Sequence, residues 1–81
     1  MLNSVSFRQL EDVILQVGFQ SQRVTGSHRV YRHPNGKTVI VLPYKSPNIS
    51  MPRNNVLAVR RILKESGLLS EEQFDKLISK T

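Results

Sequence analysis

Two histidines, His28 and His33, are the side chains of this sequence best suited to moving a proton near neutral pH. They stand five positions apart, an odd spacing that places them on opposite faces of a regular strand. A paired acid–base couple is therefore not expected without a bulge. A metal site is not expected either, because every carboxylate is remote in sequence and no cysteine is present to serve as a third ligand. The same lack of cysteine excludes a thiolate nucleophile and a disulfide framework, and it fits a cytoplasmic protein. Neither the glycine pattern of a phosphate-binding loop nor that of a dinucleotide fold occurs, and no Ser, His and Asp set stands out. What remains is the chemistry one histidine supports when its substrate brings its own nucleophile. By spacing alone, a chemically inert histidine at a strand start is the more economical reading of His28.

Charge narrows the substrate. The chain of 81 residues carries a net charge of +6. All 52 residues from Val13 to Lys64 lack a carboxylate, yet they hold nine cations: Arg23, Arg29, Arg32, Lys37, Lys45, Arg53, Arg60, Arg61 and Lys64. The flanks hold the other three cations and all six acids. A cationic centre between acidic flanks predicts a one-sided positive potential and a polyanionic partner, nucleic acid before membrane, since the cations do not share one long amphipathic helix. RNA suits a lone histidine because it supplies a ribose 2′-hydroxyl as nucleophile. Its cleavage needs a base for that proton, or an acid for the leaving oxygen, and cations on the phosphate.

The elements that would position these groups are legible from periodicity. Ser6 and Gln9 form a capping box, and Phe7, Leu10, Val13, Ile14 and Val17 recur at helical spacing, so a helix is expected over 7–17 with Gly18 as its stop. Residues 19–25 read as a short polar strand, Gly26-Ser27 as a tight turn, and 28–33 as a second strand. Pro34-Asn35-Gly36-Lys37 predicts a hairpin whose Asn-Gly pair takes positive φ, followed by a third strand over 38–42 that Pro43 ends. Residues 43–52 read as a surface loop. Pro52 suits the first turn of a second helix, with Ser50 as a candidate cap and Val56, Leu57, Val59, Ile62 and Leu63 as its apolar face. Ser70 and Gln73 open a short last helix bearing Phe74, Leu77 and Ile78. The expected fold is α+β, a double-stranded-RNA-binding-like α-β-β-β-α layout. It has a three-stranded antiparallel sheet, two helices on one face, and a short C-terminal helix added. Residues 1–81 make one domain, with no room for a cofactor-binding lobe. The longest apolar run, Val39 to Leu42, is too short to cross a bilayer, and no signal peptide is expected.

The segment from Gly26 to Lys37, GSHRVYRHPNGK, resembles the signature of the HicA family of mRNA interferase toxins. Around it stand further marks of the family: a first helix ending in Gly18-Phe19, a strand leading to Pro43, and a helix reading RILKESGL from Arg61 to Leu68. The resemblance covers nearly the whole chain. It implies the fold just described, cleavage of mRNA without a metal or small-molecule cofactor, and inhibition by a cognate HicB antitoxin. The family's catalytic histidine matches His28, with Gly26 allowing the turn that presents it and Ser27 bonding phosphate or backbone. Charge, rather than the resemblance, suggests Arg29, Arg32, Lys37 and Lys45 as phosphate contacts. Tyr31 reads as core packing and His33 as structural. Family members often carry Pro-x-His after the third strand, whereas here Pro43-Tyr44 is followed by Lys45 and Ser46, so Tyr44 or Lys45 would have to substitute. That departure keeps a second reading open, a non-catalytic RNA-binding module of the same fold.

Overall fold

The computed structural model of the chain describes residues 4–80, the side chains of Arg23 and Thr25 excepted. Its elements run α1 (Phe7–Gln16), β1 (Gln20–Thr25), β2 (His28–Arg32), β3 (Val39–Pro43), α2 (Arg53–Glu65) and α3 (Glu71–Lys80). The strands form one antiparallel sheet in the order β1-β2-β3. This is the α+β arrangement the periodicity predicts, with boundaries displaced by a residue or so.

Helix α1 starts on the expected capping box. Gln9 N–H donates to Ser6 Oγ, and Ser6 N–H donates to Gln9 Oε1. The helix buries Phe7, Leu10, Val13 and Ile14, and Phe19 folds back so that its N–H reaches the Ile14 carbonyl at 3.2 Å. Strand alternation then sorts the sheet. Tyr31, Ile40 and Leu42 are buried on the helix side, while Val39 and Val41 stand exposed on the other. One core joins these strand residues to Val56, Val59 and Leu63 of α2 and to Phe74 and Ile78 of α3.

Four details depart from the sequence reading. Ser50 does not cap α2. Its hydroxyl meets Ser4 Oγ at 2.9 Å, its backbone bridges to Ser6, and the cap position belongs to Pro52, which has no side-chain bond to offer. The 34–37 hairpin forms, but only Gly36 takes positive φ (+74°). Asn35 instead folds its Oδ1 back onto the N–H groups of Lys37 and Thr38, a local Asx bond that competes with the two-residue turn. The 43–52 loop is sewn to the start of α1 by Phe7 N–H to Ile49 O at 2.8 Å and Met51 N–H to Val5 O at 2.7 Å, and it sends Met51 into the core. Finally, α3 is integral to the fold, since Phe74 is fully buried and the helix packs on both α1 and α2.

Candidate active site

Gly26 and Ser27 join β1 to β2, and Gly26 takes a φ of +55° that a side chain would resist. The turn delivers His28 as the first residue of β2, exposed and paired across the sheet with Thr25 on one side and Pro43 on the other. Ser27 Oγ lies 3.5 Å from His28 Nδ1, and the Ser27 carbonyl accepts the Tyr44 N–H at 2.6 Å. The turn is thus anchored from behind by the residue that follows β3.

The predicted phosphate contacts separate into three groups. Arg32 is exposed, four residues along β2 from His28 and so on the same face. At roughly 3.3 Å per residue its backbone lies about 13 Å away, too far to share one phosphate with His28. Lys37 is exposed in the hairpin beyond Arg32, at the opposite end of β2 from His28. Lys45 is exposed two residues after Pro43, at the His28 end. Between the two ends, Val30, Val39 and Val41 form an apolar row on the open face.

Arg29 belongs elsewhere. Alternation turns it to the helix side, where Nη1 donates to Glu11 Oε2 at 3.1 Å. Tyr31 donates its hydroxyl to the same oxygen. The Arg29 guanidinium lies 4.0 Å over the Tyr44 ring and 5.5 Å from Phe7, and those two rings meet edge to face at 4.8 Å. Arg29 therefore holds Tyr44, and Tyr44 holds the His28 turn. The phosphate role expected of Arg29 from charge is displaced by this internal one, because a residue one position from His28 on a strand must face the other way. Tyr44 accordingly presents its ring to Arg29 and Phe7, leaving Lys45 as the exposed group at that corner. Glu11 was legible in principle. It falls four residues after Phe7 on the buried stripe of α1, where a carboxylate requires a partner.

Burial, and then the bond to Glu11, push the Tyr31 hydroxyl well above the ordinary tyrosine range. A group whose pKa is raised on folding contributes stability below its unfolded pKa and loses it as pH climbs toward the folded one. Stability should therefore fall above about pH 10, and Tyr31→Phe should flatten that part of the pH profile. Denaturant midpoints measured from about pH 8 to 11 check this; parallel profiles would show that Tyr31 is not the titrating group.

His33 is structural in its contacts. Asn35 N–H donates to Nδ1 at 3.1 Å, so Nε2 carries the proton and faces the Val17 carbonyl at 3.3 Å, while the ring packs edge-on against Phe19. The flanking acids also fold back on the cationic centre. Arg60 makes a two-pronged bond to Asp75 at 2.9 Å and meets Glu71 at 3.2 Å, and Lys64 lies 3.7 Å from Glu71. Of the nine central cations, Arg29, Arg60 and Lys64 are thereby neutralised. Among the described residues Arg32, Lys37, Lys45, Arg53 and Arg61 have no acidic partner within 4 Å. No described helix is long and apolar enough to cross a membrane.

A family model described as the HicA toxin of bacterial toxin–antitoxin systems matches residues 7–68, from the first residue of α1 to just past α2. The chain belongs to the HicA toxin family. It is a toxin of a toxin–antitoxin system, and its partner class is a cognate antitoxin. The HicA match spans the whole sheet and the His28 turn; α3, which closes the core and pairs with Arg60 and Lys64 of α2, lies beyond it. No curated protein matches the chain.

Proposed function

We propose that this HicA toxin is a metal-independent endoribonuclease that cleaves mRNA, with His28 as its single catalytic histidine. The supporting observation is the placement of His28, exposed on a glycine turn with Ser27 against its ring and Lys45 at the same corner. In the reading we favour, His28 takes the proton of a ribose 2′-hydroxyl. The 2′-oxygen then bonds to phosphorus as the bond to the 5′-oxygen breaks, and that oxygen takes a proton from water. The products are a 2′,3′-cyclic phosphate and a 5′-hydroxyl end. Ser27 and Lys45 hold the reacting phosphate, and Arg32 and Lys37 hold the strand further along the sheet. Arg29 serves as a positioning residue through Tyr44.

Incubation of the purified protein with labelled mRNA and a chelator should yield fragments with those two kinds of end; intact RNA would overturn the reading. One observation favours the alternative of a non-catalytic RNA-binding module: among the described residues Ser27 is the only hydrogen-bond partner of the His28 ring, and no carboxylate orients it. Salt-dependent binding without fragments is the result that alternative requires.

Replacing Arg32 and Lys37 together by Ala should lower the slope of log affinity against log salt by about 0.7 for each phosphate that no longer meets a cation. Folding stability should stay unchanged, as neither residue has an ion-pair partner among the described residues. An unchanged slope would remove both from the RNA path. Inhibition follows from the same surface. A HicB antitoxin seated on the valine row, with Val41 53% exposed, would cover His28 and bury an apolar strip that water otherwise meets.

A further inference from the structure

From the end of β3 the surface opens into a groove of about 170 Å³ lined by Pro43, Lys45, Ile49, Ser50, Met51 and Pro52. Its position follows from strand register. Pro43 is the cross-strand partner of His28, so the two backbones lie about 5 Å apart and one wall of the groove is the residue paired with the histidine. Its size excludes a whole cofactor, since sites for drug-sized ligands run to roughly 300–1,000 Å³, yet it suits one flat ring system. Its apolar lining residues are Pro43, Ile49, Met51 and Pro52, and its polar ones are Lys45 and Ser50, whose hydroxyl also meets Ser4 Oγ. That combination matches a nucleotide, with a base against apolar walls, a hydroxyl to meet its edge and a cation for its phosphate. A second cleft, of about 420 Å³, lies at the Lys37 end of the sheet and has Glu65 in its wall, a carboxylate that would repel phosphate.

We propose that the Pro43–Pro52 groove is a subsite for one unpaired base of single-stranded RNA, that of the nucleotide next to the scissile phosphate, with Lys45 on its phosphate. The inference rests on the nuclease reading and extends it. A base still stacked in a duplex cannot enter, so the subsite selects single strands. The groove walls then discriminate among bases, which gives the toxin its preference for particular cutting sites.

Two measurements separate this inference from the reading it rests on. The first is fluorescence anisotropy of a short single-stranded RNA of mixed sequence on the His28→Ala protein, with and without Ser50→Phe, which fills the groove from an exposed position. The filled variant should bind roughly tenfold more weakly, as expected when one base is shut out of its seat. The second is a map of cut ends made by the parent protein and by Ser50→Phe. The parent should show a base preference at one position flanking the cut, and the variant should lose it. Unchanged affinity and unchanged preference overturn the subsite while leaving the nuclease intact. Weakened binding with no cuts by the parent overturns the nuclease and keeps the subsite. If circular dichroism shows Ser50→Phe to be unfolded, Ser50→Leu is measured in its place under the same criteria.

Discussion

Replacing His28 by Ala should reduce RNA cleavage about 100- to 10,000-fold, the range that one positioned acid or base contributes. His28 is exposed, and among the described residues its ring has one hydrogen-bond partner, Ser27 Oγ at 3.5 Å. The substitution should therefore shift folding stability by no more than about 0.5 kcal/mol. RNA affinity should hardly change, because phosphate binding is carried by lysine and arginine. Single-turnover cleavage, anisotropy and chemical denaturation on one preparation separate these three quantities. His33→Ala is the matched control. It removes the bonds to Val17 and Asn35 and the packing against Phe19, so it should lower stability and leave the cleavage rate per folded molecule intact. Full activity of the His28 variant would sink the catalytic assignment.

The second large effect is expected at Glu11. Its carboxylate oxygen accepts from both Arg29 and Tyr31, and the Glu11 and Arg29 side chains are only 19% and 27% exposed. Glu11→Ala would leave a guanidinium and a phenol hydroxyl without their acceptor. Breaking a buried pair from one side costs about 3–5 kcal/mol. Partial solvent access reduces that here to roughly 2–3 kcal/mol. Arg29 Nε is already buried without a hydrogen-bond partner, so the guanidinium has little in reserve. The double replacement Glu11→Leu with Arg29→Leu should recover part of the loss, since an apolar pair removes the stranded charge along with its partner. A denaturant series on the two single variants and the double gives the coupling; additive losses would show that the two residues act independently. Cleavage by folded Arg29→Leu should also fall, because its guanidinium braces the Tyr44 ring and Tyr44 bonds the Ser27 carbonyl. Steady-state kinetics of that variant should show the loss mainly in kcat, with KM little changed, if the His28 turn has loosened.

The fold was legible because its signals are local. The capping boxes at Ser6 and Ser70 form as their sequences prescribe, and the β-branched run after Gly36 is a strand. Ser50 and Asn35 depart from expectation for one reason: a short polar side chain has several backbone and side-chain partners within reach, and the packed chain chooses among them. The HicA-like segment around His28 was likewise legible as residues in order, and alternation alone placed His28 and His33 on opposite faces.

What tertiary structure decided is which charges remain available. Sequence composition shows nine cations in an acid-free stretch, but it does not show that Glu11, Glu71 and Asp75 return to neutralise three of them. Ion pairs between residues 15 and 18 positions apart depend on how helices dock, and no periodicity encodes that. By itself the sequence determined the elements, the strand that carries His28 and the basic character of the molecule. Only the packed chain gave Arg29 its Glu11 partner, set Tyr44 behind the His28 turn and opened a groove between Pro43 and Pro52, because each depends on surfaces that meet only after the sheet and helices have closed on one core.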